Sequence, residues 1–293
     1  MKVGIVGGGS IGLLVSGYLY KEHEVTIYCR RKEQKQKIND DGLFTAESSK
    51  PRPVKALLLD ELQQEDCLII CVKQSQISTI LTKIKMQKTD TPFIFLQNGM
   101  GHIELLDMDN PIFVGVVEHG ALRKTDNYVQ HTGKGLIRLA VFQKGNVHLE
   151  TLVEQFDQCC FPVQKEADWR RLLHEKLIVN AVINPLTALL HVRNGAIIDN
   201  PFINQIAKVL CMEAAMVLKM DFLKQWNRVQ SIAENTRKNT SSMLKDIKGK
   251  QKTEIEAITG YIINQCDHTS HLPYSTFVYD GIRALEREKE IDQ

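Results

Sequence analysis

Up to about Phe161, short apolar runs alternate with amphipathic stretches. Lys2–Val6, Glu24–Cys29, Cys67–Val72, Pro92–Leu96 and Ile112–Val117 are rich in valine and isoleucine and bounded by turn residues, which predicts buried strands. Between them Ile11–Tyr20, Lys32–Asn39, Ser75–Lys85 and Gly101–Leu106 carry a helical period. This alternation predicts an α/β fold with a parallel, doubly wound sheet. Tyr128–Gln130 and Gly135–Val141, joined by His131-Thr132-Gly133-Lys134, are expected to add an antiparallel hairpin. After Asp168 the pattern is helical throughout: Trp169–Leu190, Phe202–Leu218, Trp226–Asn235, Thr253–Cys266 and, past the break at His271-Leu272-Pro273, Ser275–Arg287. Two domains are therefore expected, residues 1–166 and an all-helical 167–293.

The junction of the first strand and first helix reads Gly7-Gly8-Gly9-Ser10-Ile11-Gly12, a G-x-G-x-x-G run. Such glycines permit a tight turn, a close approach of backbone to a pyrophosphate, and close packing of helix on sheet. The helix start supplies unpaired N–H groups and the positive end of a dipole for the phosphates. In that position the run predicts a Rossmann dinucleotide-binding domain. Where an NAD site usually has a carboxylate for the ribose 2′-hydroxyl, the second strand ends in Tyr28-Cys29-Arg30-Arg31. A guanidinium can grip a 2′-phosphate with parallel charge-assisted bonds, and a helix start is otherwise a poor place for two surface arginines, so NADP(H) is the expected cofactor.

Composition narrows the partners. With 37 basic against 35 acidic residues the 293-residue chain has a net charge of +2, which gives no electrostatic reason to expect nucleic acid or an acidic membrane. No apolar run is long enough to span a bilayer, and Met1–Gly9 has no signal-peptide pattern. The seven cysteines are scattered, without Cys-x-x-Cys or metal-ligand spacing; free thiols in a reducing cytoplasm and no metal are expected.

In the helix after Asp168, Lys176, Asn180 and Asn184 fall at i, i+4 and i+8 and share one face of an otherwise apolar rod. A lysine and two amides on a buried helix need partners, either a ligand or backbone at a domain interface. Pro185 removes the N–H that would bond the Ala181 carbonyl, so a kink is expected just beyond Asn184. Asn239-Thr240-Ser241-Ser242 and Thr253-Glu254 are, on their residue types alone, equally explicable as helix caps.

The order of motifs resembles the ketopantoate reductases (2-dehydropantoate 2-reductases) over nearly the whole chain. After the glycines come Cys71-Val72-Lys73, Gln97-Asn98-Gly99-Met100-Gly101, His119-Gly120-Ala121, Lys176-Leu177-Ile178-Val179-Asn180, Asn184-Pro185-Leu186-Thr187-Ala188, Arg193-Asn194-Gly195, Ser241-Ser242-Met243 and Thr253-Glu254-Ile255. The resemblance implies NADPH-dependent reduction of ketopantoate to pantoate, on the way to pantothenate and coenzyme A, in a site between the two domains. It implies Lys176 as general acid, with Glu254 beside it in the catalytic set. Asn98, Lys176, Asn180, Asn184, Asn194, Asn239 and Ser242 match the substrate-binding positions. Gly7, Gly8, Gly9, Ser10, Ile11, Gly12, Arg30, Lys73, Asn98, Ala121 and Glu254 match those that line the cofactor. The partner so implied is a small keto acid, and a homodimer is compatible with it. His102, His119, His174 and His191 have no visible carboxylate or serine partner and are expected to be structural. Two other readings stay open, reduction of another small 2-keto acid on the same fold and a non-catalytic NADP(H) sensor.

Overall fold

The computed structural model describes residues 1–46, 48–143, 149–267 and 271–289. It contains two compact units, Met1–Gln97 with Glu104–Leu172, and Asn98–Ile103 with Leu173–Gln293.

In the first unit the chain runs β1 (Lys2–Val6), α1 (Ser10–Leu19), β2 (Glu24–Cys29), α2 (Lys32–Asp41), β3 (Leu43–Thr45), β4 (Ser48–Arg52) and β5 (Lys55–Leu58). It continues through β6 (Cys67–Ile70), α3 (Ile77–Ile84), β7 (Phe93–Phe95), β8 (Ile112–Val117), β9 (Gly120–Thr125), β10 (Tyr128–Gly133), β11 (Ile137–Gln143), α4 (Leu149–Phe156) and β12 (Val163–Glu166). Eight strands form the main sheet in the order β12-β11-β8-β7-β6-β1-β2-β5, parallel except where β11 meets β8. Val3, Ile5, Ile27, Ile94 and Phe113 are almost wholly buried in it, which accounts for their near-continuous apolar runs. Chain order reverses between β2 and β6 on either side of β1, the point at which a doubly wound sheet opens a crevice at its carboxyl ends.

The expected hairpin between residues 128 and 141 is not formed. β10 pairs antiparallel with β9 and parallel with β3 in a second sheet, β4-β3-β10-β9, while β11 joins β8 and β12 in the main sheet. The true hairpin turn is Asp126-Asn127. The Asn127 amide donates to the Gly42 carbonyl at 2.9 Å and its own carbonyl accepts from Phe44 N–H at 2.8 Å, which draws β10 onto β3.

The second unit contains the long helix α5 (Trp169–Leu190, whose first turn belongs to the first unit), α6 (Ala196–Asp199), α7 (Pro201–Val217), α8 (Phe222–Asn235), α9 (Ser242–Lys248), a π-helical turn at Glu256–Gly260 that runs into α10 (Tyr261–Gln265), and α11 (Pro273–Glu288). Among the described residues no strand follows Glu166. Side-chain caps start four of the helices among the described residues: Asp168 on α5, Asn200 on α7, Asp221 on α8 and Ser241 on α9. Two buried carboxylates are fully employed. Glu213 accepts from the Tyr274 and Ser275 N–H groups at 3.0 and 2.7 Å and so caps α11. Glu286 accepts from Thr253 N–H at 2.8 Å and pairs with Arg283 at 2.9 Å, which fixes the entry to the Thr253-Glu254-Ile255 segment.

Candidate active site

The glycine loop follows β1 directly. A Cβ on Gly12 would stand 1.9 Å from the Gly7 carbonyl oxygen, so α1 can pack this closely only with glycine there. Gly7 itself has φ +113°, and its amide donates to Tyr28 O at 3.0 Å. Gly9 is different: a Cβ there meets nothing within 4 Å. It is also the N-cap of α1, with no side-chain cap and no acidic residue in the first turn. The loop therefore leaves open space in front of uncapped N–H groups, which suits the pyrophosphate of a dinucleotide. Gly8 is held from the other side by buried Gln34, whose amide donates to Gly8 O at 2.7 Å. Sequence reading did not single out Gln34, since a lone glutamine in a charged helix carries no pattern.

The two arginines after β2 separate. Arg31 forms an ion pair with Asp126 in the β9–β10 turn. Arg30 is exposed and has no ion pair or side-chain hydrogen bond to a described residue. Lys73 is exposed after β6, where a Cβ on Gly7 would touch Val72, and Ala121 is half-buried on β9. Ser10 anchors β9 to the loop, its hydroxyl accepting from Arg123 N–H at 3.2 Å.

In the second unit, α5 presents Lys176 and Asn180 half-buried, and Asn184 only 7% exposed. Neither Asn180 nor Asn184 has a side-chain hydrogen bond to a described residue. The backbone-satisfied alternative is thus not what the helix shows for these amides. Glu175, next to Lys176, pairs with Arg228 of α8 at 3.3 Å. One turn beyond Asn184, the buried Thr187 hydroxyl donates to Ile183 O at 2.7 Å and accepts from the Ser241 hydroxyl at 2.8 Å. That bond pins the start of α9 to α5, with exposed Ser242 as its first residue.

Asn98 and Glu254, 156 residues apart, meet directly: the Asn98 amide donates to Glu254 Oε2 at 3.0 Å. Gly99 makes this possible with φ +77°, and a Cβ there would lie 2.4 Å from Ala257 O in the π-helical turn. Met100 N–H closes the contact on Ala257 O at 3.2 Å. Turns of this π type recur at functional sites because they re-aim a helix. Asn194 is held by two bonds within the second unit. Its amide donates to Thr236 Oγ1 at 2.9 Å and its N–H to Asn239 O at 3.1 Å, so it seats the Arg193-Asn194-Gly195 turn under the α8–α9 link. Its Oδ1 is buried with no partner among the described residues, and the Asn239 side chain is exposed.

His119 and His131 form a buried chain with Tyr18. Gly135 N–H donates to His119 Nδ1 at 3.1 Å, His131 Nε2 lies 3.1 Å from the same nitrogen, and the Tyr18 hydroxyl lies 2.9 Å from His131 Nδ1. Phe161 stacks between Tyr18 and His119, each ring centroid 4.3 Å away. Burial lowers the His102 and His119 imidazoles to about 4, with His131 adding to the effect at His119. An unfolded imidazole titrates near ~6.5. The fold therefore binds fewer protons than the unfolded chain in that window; this stability is complete above about pH 6.5 and is lost as pH falls toward about 4. In His119→Gln the loss of urea resistance between pH 7 and pH 5 should shrink by up to about 2 kcal/mol. An unchanged pH slope would show that His119 is not the titrating group.

All seven cysteines are free. Among the described residues no metal-binding cluster occurs, and no helix is long and apolar enough to cross a membrane.

Two family models cover most of the chain: ketopantoate reductase PanE/ApbA over residues 3–144, and its C-terminal domain over residues 168–286. A 2-dehydropantoate 2-reductase of Bacillus subtilis is 40% identical over 98% of this chain and 98% of its own. One of Listeria monocytogenes is 33% identical over 99% of both. The crystal structure of a probable 2-dehydropantoate 2-reductase from Bacillus subtilis, 39% identical, superposes with a TM-score of 0.87 over 98% of this chain and 100% of that one.

Proposed function

The chain belongs to the ketopantoate reductase family, and from that membership and its own residues we infer that it reduces 2-dehydropantoate to pantoate with NADPH. The observation that carries the site is the polar stripe on α5: a lysine and two amides on a largely buried helix, the amides without a side-chain hydrogen bond among the described residues. Amides on a largely buried helix that keep their donors and acceptors open suit a ligand that bonds them.

The nicotinamide supplies a hydride when bound, and the residues provide the rest. The glycine loop and α1 N-terminus hold the pyrophosphate, and Arg30 binds the 2′-phosphate. Lys73 and Ala121 line the cofactor. As negative charge grows on the keto oxygen, the Lys176 ammonium stabilises it and delivers the proton. Asn180, Asn184 and Ser242 bind the carboxylate and hydroxyl of the substrate without competing for that proton, because none of them titrates. Glu254 fixes Asn98 by accepting from its amide, which leaves Asn98 Oδ1 to receive a hydroxyl. Asn194 and Asn239 act by shaping the wall, given where their bonds go. The two residue ranges of this reading are 1–166 for the cofactor and 167–293 for the substrate. The protein so read is cytoplasmic, as its free thiols favour. Exposed Phe202, Leu223 and Phe277 favour a homodimer.

NADPH oxidation across a panel of 2-keto acids tests the assignment, with ketopantoate expected to give the highest kcat/KM. Arg30→Ala should weaken NADPH by about tenfold or more while NADH changes little, since a charge-assisted contact to the phosphate is lost. Equal losses for both would remove Arg30 from the 2′-phosphate.

A further inference from the structure

A second guanidinium approaches the glycine loop from a strand the sequence pattern does not reveal. Arg123 lies on β9, the edge of the small sheet, 40% exposed at its side chain. Its backbone N–H is bonded to Ser10 Oγ, and its Nη1 reaches Gly8 O at 3.4 Å and Asp126 Oδ1 at 3.7 Å. Asp126 is the same carboxylate that pairs with Arg31. Gln34 ties the arrangement into one frame, donating to Gly8 O at 2.7 Å and to Asp126 O at 2.9 Å. Burial pushes the Cys29 thiol at the end of β2 up to about 12, and Asp126, Arg31 and Arg123 all act on it electrostatically, which sets the three charges around that strand end.

Two guanidinium groups, Arg31 and Arg123, share the Asp126 carboxylate beside the end of β2 and the glycine loop, and Arg30 is the exposed residue next to Arg31 in the chain. Like charges this close raise one another's energy unless an anion compensates them. A phosphate would draw on that excess of positive charge. The contacts of Arg123 are long and its side chain half open, so it can turn to a ligand without breaking a strong bond.

We propose that Arg123 is a specificity-determining residue that contacts the 2′-phosphate of NADP(H) together with Arg30, with Asp126 separating it from Arg31. The proposal rests on the reading that the first unit binds NADP(H), and it goes beyond that reading in naming an arm from β9.

Isothermal titration calorimetry with adenosine 2′,5′-bisphosphate and with 5′-AMP tests it without turnover. Wild type should bind the bisphosphate more tightly; equal binding of the two would undo the NADP(H) reading itself. Given that preference, Arg123→Ala should weaken the bisphosphate about ten- to thirtyfold and 5′-AMP less than about twofold, the loss of a charge-assisted bond to one phosphate. Equal weakening of both ligands would place Arg123 on the shared 5′-phosphate, and no weakening would leave it outside the site; either result overturns the proposal. Arg123→Lys, which keeps the charge and loses the fork, should retain part of the preference and gives the reading if the alanine variant does not fold.

Discussion

Lys176→Ala is expected to lower turnover by at least about a hundredfold, with the fold and NADPH affinity unchanged. Lys176 is half-buried on α5, and Glu175, the adjacent carboxylate, is engaged by Arg228. Removing the ammonium takes away both the charge that stabilises the growing oxyanion and the proton that neutralises it, and these act together in the transition state. The loss should therefore fall on kcat more than on the KM for NADPH. Lys176→Arg should not restore activity, because a guanidinium keeps its proton. Wild-type-like turnover in the alanine variant, measured by NADPH oxidation at saturating keto acid, would end the mechanism. Binding of NADPH followed by calorimetry separates this from a folding defect.

Gly12→Ala should abolish tight cofactor binding, by more than about a hundredfold, and should cost about 2–4 kcal/mol of stability. The added methyl would sit 1.9 Å from Gly7 O, and backbone cannot yield as a flexible side chain does. Either α1 lifts from the sheet or the loop moves, and each displaces the N–H groups that face the open space at Gly9. Gly9→Ala provides the contrast. Its Cβ meets no protein atom, so the apo protein should melt near wild type while cofactor binding falls, because the methyl enters the space assigned to the pyrophosphate. Equal NADPH affinity in Gly12→Ala and wild type would show that the loop does not form the cradle.

The periodicity of the chain reached α5 to the residue, Trp169–Leu190, because a 22-residue apolar stretch with a polar stripe has no competing reading. It reached the five central strands of the main sheet for a similar reason, since burial on both faces leaves unbroken runs of valine and isoleucine. It missed β9, whose Arg123, Lys124 and Thr125 are exposed at a sheet edge and show no alternation. Without β9, the strand at Tyr128 had no visible partner, and the nearest turn-like residues, His131 to Lys134, suggested the wrong one. The same omission hid Arg123 and Asp126. At the candidate site, the stripe of Lys176, Asn180 and Asn184 follows from helix geometry, whereas the bond between Asn98 and Glu254 does not. It depends on a left-handed Gly99 and a π-helical turn, and helical spacing has no term for either.

The six residues Asn98–Ile103 belong to the second compact unit although both flanking segments belong to the first. Met100 and His102 in this excursion are each at most 2% exposed, and its backbone is latched to Ala257. A gene cut at a single point near residue 166 would therefore yield a fragment 1–166 with this stretch stripped of its latch and a greasy methionine facing water. Such halves should be poor candidates for expression on their own, and the architecture is better inherited as one piece than assembled from interchangeable parts.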